Sequence, residues 1–154
     1  MRDWVKIIGS TERPYTQAAH DRWDQTVVEF PSRQVKVQRG DRLLLYTGHP
    51  LRRFIGVCRV RETPQPLTAS EDGLASSCSV FAQLCLEDIE TYGVPSNEVF
   101  PLPSGQKLLA LRQKSHVQVR RLDAHHLIGH LLRALTRELE DQTDALLQRC
   151  LFSN

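Results

Sequence analysis

The clearest pattern in the chain is an apolar run that is broken and then repeated. "RLLLYT", Arg42 to Thr47, is nearly continuous in apolar residues, the mark of a strand buried on both faces. "RFIGVCRV", Arg53 to Val60, follows the break Gly48-His49-Pro50, and the short connection predicts an antiparallel pair. Gly56 inside the second run predicts a bulge or a close backbone approach. Upstream, Val35 and Val37 alternate with polar neighbours, and Arg39-Gly40-Asp41 reads as a tight turn. "DWVKIIGS" reads as a first strand that ends at Gly9-Ser10, and "VVEF" as a short one closed by Pro31-Ser32. Val80, Ala82, Leu84 and Leu86 fall on one face at period two, which predicts a strand over Ser79–Glu90. "SHVQVRRL" alternates Val117 and Val119 with polar residues and reads as a closing strand. "QKLLALRQ" suits a short helix. "TERPYTQAAHDRWDQT" is too mixed for regular structure, "TPQPLTASEDGLASS" reads as a surface loop, and "VPSNEVFPLPSG" as a proline-bounded connector.

From Asp123 the period changes. Leu127, Leu131, Leu135 and Leu139 recur every fourth residue, and Ile128, Leu132, Leu146 and Cys150 widen the stripe. This predicts a long amphipathic helix with Asp123 as its N-cap, and with Gly129 or residues 141–143 as places where it could break. The pattern as a whole predicts an α+β protein: a small mixed β-barrel flanked by helices, with a long C-terminal amphipathic helix.

Composition narrows this picture. The chain has 154 residues, which suits one domain, and a formal net charge of +2, too small for a protein that coats nucleic acid by charge alone. Nucleic-acid binding would have to come from local basic patches or from a base-sized pocket. Cys58, Cys78, Cys85 and Cys150 form no C-x-x-C pair and read as buried, reduced thiols of a cytoplasmic protein. No apolar segment approaches the ~20 residues that span a bilayer, and the N-terminus lacks the pattern of a signal peptide. A soluble protein without membrane contact is expected.

Catalytic signatures are missing. There is no nucleophile elbow and no glycine-rich phosphate loop. His126 and His130 share a helical face at metal-ligand spacing, but Leu127 stands where a zinc protease carries its glutamate and no third ligand is evident. The expectation is a non-enzyme without metal or cofactor. Binding chemistry is better represented. Arg52, Arg53, Arg59 and Arg61 lie along the second strand of the pair, and Arg112, Lys114, Arg120 and Arg121 flank the closing strand. If those strands were neighbours, one face would be basic. Trp23, among Asp21, Arg22, Asp24 and Gln25, falls on no core-facing period, so it is either a core residue or a plane for stacking a base. Ser10, Thr47, His49 and Ser115 sit at strand ends, where polar groups could converge on such a base.

Four blocks in order resemble the EVE domain, a PUA-like family related to YTH and ASCH domains. They are "WVKIIGSTE", "RWDQTV", "VKVQRGDRLLLYTGH" with "RRFIGVCRV", and "LLALRQKSHVQVRRL". The resemblance covers residues 3–132. It implies a domain over residues 1–132; the helix over 133–154 extends beyond the resemblance, and its apolar stripe is expected to pack on the domain or to make a homodimer with a second copy. It also implies a pocket that accepts a modified or flipped base of DNA or RNA. In that reading Ser10, Trp23, Asp24, Thr47, Gly48, His49 and Ser115 form the base pocket, and Arg53, Arg112, Lys114 and Arg121 hold phosphates. The alternatives are a generic structured-RNA binder of the PUA type and an enzyme on a PUA-like barrel acting on a nucleotide-like substrate. One departure stands out: Gly9 occupies a position where many relatives carry lysine.

Overall fold

The structure, a computed structural model, describes residues 1–10, 12–67, 75–108 and 115–152. Within them the strands are β1 (Asp3–Ile8), β2 (Val27–Phe30), β3 (Arg42–Thr47), β4 (Arg53–Val60), β5 (Gln65–Pro66), β6 (Ser76–Cys85), β7 (Val94–Pro95) and β8 (His116–Val119). The helices are α1 (Gln17–Arg22), α2 (Ile89–Tyr92), α3 (Ser96–Val99) and α4 (Arg121–Phe152).

The apolar runs that dominate the sequence form the middle of one curled sheet, ordered β2-β6-β4-β3-β1-β8, with β5 on β6 and β7 on β4. β3 and β4 pair antiparallel as their spacing requires. β1 lies parallel to β3 and antiparallel to β8, so the first strand of the chain meets the last. Gly56 is where β6 comes closest: a Cβ there would sit 2.6 Å from the Leu84 carbonyl oxygen. The sheet is a half-barrel. Its edge strands β2 and β8 are bridged by side chains, with the Phe30 ring edge-on to His116 at 5.2 Å and the Lys6 ammonium 5.1 Å from the Phe30 centroid.

Lys6 is 5% exposed, and burial pushes its ammonium down to about 8. Lowering a folded-state lysine in this way means the unfolded chain binds a proton that the folded chain has lost between about pH 8 and 10.5, so stability rises with pH across that window. Lys6→Met is therefore expected to stabilise the protein at pH 7 by about 2 kcal/mol, the gap closing toward pH 10. Urea unfolding of both proteins at pH 7 and pH 10 checks this. A variant equally or less stable at pH 7 would contradict the reading.

Asp41 anchors the turn before β3. Its buried carboxylate accepts from the Trp4 indole at 3.0 Å and from the Arg2 and Gln38 amides at 2.9 Å each. Gly40 takes φ +89°, which makes the turn possible without strain. Beside it, Asp3 pairs with Arg42 at 2.6 Å across β1 and β3.

Several expectations are corrected. Val35 and Val37 form no strand: the Gln38 amide and carbonyl are committed to the Asp41 turn and the Lys36 carbonyl accepts from the Arg2 guanidinium, although Val37 is fully buried. The strand placed over Ser79–Glu90 begins earlier and stops at Cys85, after which the chain turns into α2. Its apparent period of two crosses a bulge: Cys58 faces Ala82 while Val57 faces Leu84, leaving Gln83 extra and Ala82 exposed. "TERPYTQAAHDRWDQT" contains α1, capped by the Thr16 hydroxyl on the Ala19 amide. α3 and β7 lie inside the proline-bounded connector. The short helix expected at "QKLLALRQ" lies largely outside the described residues. Cys58 and Cys78 are buried and Cys85 is half-buried, but Cys150 is exposed.

α4 is a single 32-residue helix, unbroken at Gly129, at 141–143 or across position 132. Asp123 lies inside its first turn, and its carboxylate holds the Ser104 amide and hydroxyl rather than the helix's own amides. Ala124, Leu127, Leu131 and Ala134 bury against the sheet. A spacing of four drifts about 40° per step on a helix of 3.6 residues per turn, so the leucine stripe winds off the core. Leu135 is half-buried and Leu139 is 52% exposed. The core-facing line continues instead to Glu138, 1% exposed, whose carboxylate accepts from the Glu87 and Asp88 amides at 2.9 and 3.0 Å. No described helix is long and apolar enough to cross a membrane.

Candidate functional site

The strand directions collect most of the expected site residues at one end of the half-barrel. Ser10 follows β1, Thr47 ends β3 with Gly48 and His49 after it, Arg53 opens β4 and Ser115 precedes β8. The Ile7 amide donates to the Ser115 carbonyl at 2.8 Å, joining two of these segments. The loop after β1 returns through Tyr15, whose hydroxyl bonds His20 Nδ1 at 2.8 Å. His20 Nε2 lies 2.6 Å from the Leu86 carbonyl, and the His20 ring lies 6.2 Å from that of Trp23. Trp23 thus ends α1 at the same end of the sheet.

The individual side chains differ in what they have left to offer. Trp23 is half-buried; its indole N–H donates to the Val27 carbonyl at 2.9 Å, which fixes one edge of the ring. Asp24 is exposed, and its carboxylate accepts from the Thr26 amide at 3.0 Å, which holds it below the usual carboxylate range. Thr47 is fully buried, and its hydroxyl accepts from the Arg53 amide and donates to the Arg53 carbonyl. That pair shapes the loop from Gly48 to Arg52. Ser10 accepts from the Arg13 amide at 3.0 Å. Ser115 Oγ lies 2.8 Å from His116 Nδ1, and His49 is exposed. The Arg53 guanidinium donates to the Gly93 carbonyl at 2.9 Å, with no carboxylate against it among the described residues. Arg112 and Lys114 lie outside the described residues.

Arg121 is exposed but lies at the other end of the sheet, because β8 runs antiparallel to β1 and Val119 pairs with Asp3. Nor are the two basic groups on neighbouring strands: β3 and β1 separate β4 from β8. His126 Nε2 lies 3.0 Å from the Val99 carbonyl, and its ring meets that of His130 edge-on. No group of three metal-ligating side chains occurs among the described residues. A shallow groove of about 560 Å³ lies away from Trp23, along α4, lined by Glu98, His130, Arg133 and Arg137.

Gly9 now has a physical reason. Its φ is +83°, and a Cβ would sit 2.7 Å from the Tyr15 amide nitrogen. A lysine cannot occupy this position while the loop stays folded onto Tyr15.

Sequence reasoning missed two residues at this end. Gln25 (φ 63°) and Arg52 (φ 50°) are the non-glycine residues with positive φ among the described residues. One follows Trp23-Asp24 and the other ends the Gly48 loop. Neither residue type signals a left-handed backbone, so only the structure could show them.

The fold is a curled mixed sheet with flanking helices and, here, a long C-terminal helix. Its solved neighbours include the ASCH protein of Zymomonas mobilis, with a TM-score of 0.51 at 11% identity over 83% of this chain and 94% of that one. A Rhodopseudomonas palustris protein solved by NMR gives a TM-score of 0.59 at 12% identity, over 85% and 93% of the two chains. A crystal structure from Agrobacterium tumefaciens gives 0.56 at 12%, over 84% and 93%. At such identities the likeness is one of fold. No family model matches the sequence, and no curated protein matches it.

Proposed function

We propose that the protein is a non-catalytic nucleic-acid binder that takes a modified or flipped base at the Trp23 end of the half-barrel. One observation carries this reading: Gln25 directly after Trp23-Asp24, and Arg52 in the loop that opens with Thr47-Gly48-His49, hold strained backbones beside the two segments that the EVE resemblance assigns to the pocket. A non-glycine residue held at positive φ costs about 1–3 kcal/mol and persists where the surroundings over-determine it, commonly at binding sites. The Trp23 ring, with its N–H tied to Val27, offers a rigid face for a base without further loss of freedom. In this reading Asp24, Ser10, His49 and Ser115 hydrogen-bond the edge of the base. Thr47 acts through the loop it pins, not by touching the base.

Trp23→Ala is expected to weaken oligonucleotide binding by ~1–3 kcal/mol and to abolish any preference for a modified base. Fluorescence anisotropy with matched oligonucleotides, one carrying 5-methylcytosine or N6-methyladenine and one unmodified, measures both effects. A variant that binds every oligonucleotide as the wild type does would refute the pocket. Binding that is strong, salt-dependent and indifferent to modification in both proteins would favour a generic structured-RNA binder.

A further inference from the structure

At the opposite end of the half-barrel, the Asp41 turn gathers cations from three stretches of chain. The Arg2 guanidinium donates to the Lys36 carbonyl. The Arg59 guanidinium donates to the Gly40 carbonyl at 2.9 Å. The Arg39 amide reaches the Thr63 hydroxyl at 3.3 Å, which lays Arg39 beside Arg61 at the end of β4. Lys36, Arg39 and Arg61 are exposed, and no carboxylate among the described residues pairs with them. The nearby acids are turned inward. Asp41 is 3% exposed and occupied by three N–H groups, leaving Arg2 at 3.7 Å as its one charged neighbour; Asp3 is bound to Arg42. Glu62 is the exposed acid of this stretch. Six cations (Arg2, Lys36, Arg39, Arg42, Arg59, Arg61) against three acids (Asp3, Asp41, Glu62) leave +3 here, while the whole chain carries +2.

Two features distinguish this surface from an ordinary solvated face. Half-buried Arg59 rests on the Gly40 carbonyl, which positions a guanidinium without neutralising it and leaves N–H donors for a bidentate partner. Phe81, 43% exposed, is the register partner of Arg59 across β4 and β6, so an aromatic plane stands among the charges. Cations that follow a backbone, with an aromatic between them, are what a single-stranded nucleic acid requires.

We propose that this end is a second nucleic-acid contact: Lys36, Arg39, Arg59 and Arg61 take successive phosphodiesters, and a base stacks on Phe81. Arg121, exposed beside the start of β1, extends the same track. The proposal rests on the reading of the protein as a nucleic-acid binder but not on the Trp23 pocket, which lies at the other end. One strand would be gripped here and read there.

The test is anisotropy with labelled 20-nucleotide single strands, unmodified and singly modified, across a range of salt, for wild type, Trp23→Ala, Phe81→Ala and a Lys36→Glu, Arg39→Glu, Arg61→Glu triple variant. The triple variant is expected to bind both strands at least about tenfold more weakly and to lose about 2 from the slope of log affinity against log salt. Phe81→Ala is expected to lose affinity without a change of slope. Should the triple variant melt early, the Lys36→Gln and Arg61→Gln double variant carries the same expectation at smaller size. Unchanged affinity and slope in a folded triple variant overturn the proposal and leave the Trp23 pocket standing. Loss in the triple variant with no effect of Trp23→Ala or of modification overturns the pocket and leaves this surface standing. A wild type that binds no strand, or whose basic end binds only phosphatidylserine vesicles, overturns this proposal.

Discussion

Asp41→Ala is expected to destabilise the domain by about 3–5 kcal/mol, the largest effect of any polar substitution considered. The carboxylate satisfies three donors at once: the Trp4 indole and the Arg2 and Gln38 amides. Hydrogen bonds to a charged acceptor contribute ~1.5–3 kcal/mol each, and a buried donor left empty forfeits about 1–3 kcal/mol. Trp4 is 5% exposed, so water cannot replace the lost acceptor at its ring without opening the core. The amides of Arg2 and Gln38 lie nearer solvent and recover part of their loss, which is why the total stays below the sum of three. Asp41→Asn keeps one acceptor oxygen and is expected to lose about half as much. Urea unfolding midpoints at constant slope give the comparison. A loss below ~1 kcal/mol for the alanine variant would mean that the Gly-Asp turn is ordinary turn chemistry and no anchor.

The second large effect is expected at Glu138, where alanine should remove about 2–4 kcal/mol. Its carboxylate is the acceptor for two amides that precede α2, and it is nearly inaccessible. Without it the Glu87 and Asp88 N–H groups lose their acceptor in a half-buried junction. Nearby contacts belong to the same clamp: Gln17 accepts from the Ile89 amide at 2.8 Å, and Gln142 donates to Glu87 at 3.1 Å. Glu138→Gln retains one acceptor but turns an amide donor toward an N–H, so it is expected to fall between wild type and alanine. Amide exchange at Glu87 and Asp88 separates this from a general loss of packing. Those two amides should exchange faster by a larger factor than the β3 and β4 amides. A uniform acceleration would assign the effect to the helix as a whole.

Much of this architecture is legible in the sequence because its central strands are locally self-consistent. β1, β3, β4 and β8 combine β-branched or apolar residues with clean breaks, and no competing period runs through them. The failures have particular causes. The tail of β6 carries an alternation that a bulge has shifted out of phase, so Ala82 looks inward on paper and faces outward in space. α1 has six residues, and its buried member is His20, so no apolar stripe announces it. In α4 a fourfold leucine repeat masks the true core line, which ends on a glutamate. The site shows the same division. Its strand-end residues could be gathered by topology alone. Which hydroxyls remain free, and where the backbone is strained, depends on Arg53, Val27 and Gly93 contacts that no local pattern encodes.

The meeting of β1 with β8 has a consequence for how the protein is made. Trp4 pairs with Gln118, so β1 finds one of its neighbours only after the long stretch between them has been translated. β1 can be held meanwhile by β3, but its outer edge stays unpaired, a template for pairing with other chains. The clamp at Glu138 comes later still. Productive folding therefore waits until β8 and α4 have been made, and slow elongation over the intervening residues would leave β1 exposed to other nascent chains for longest.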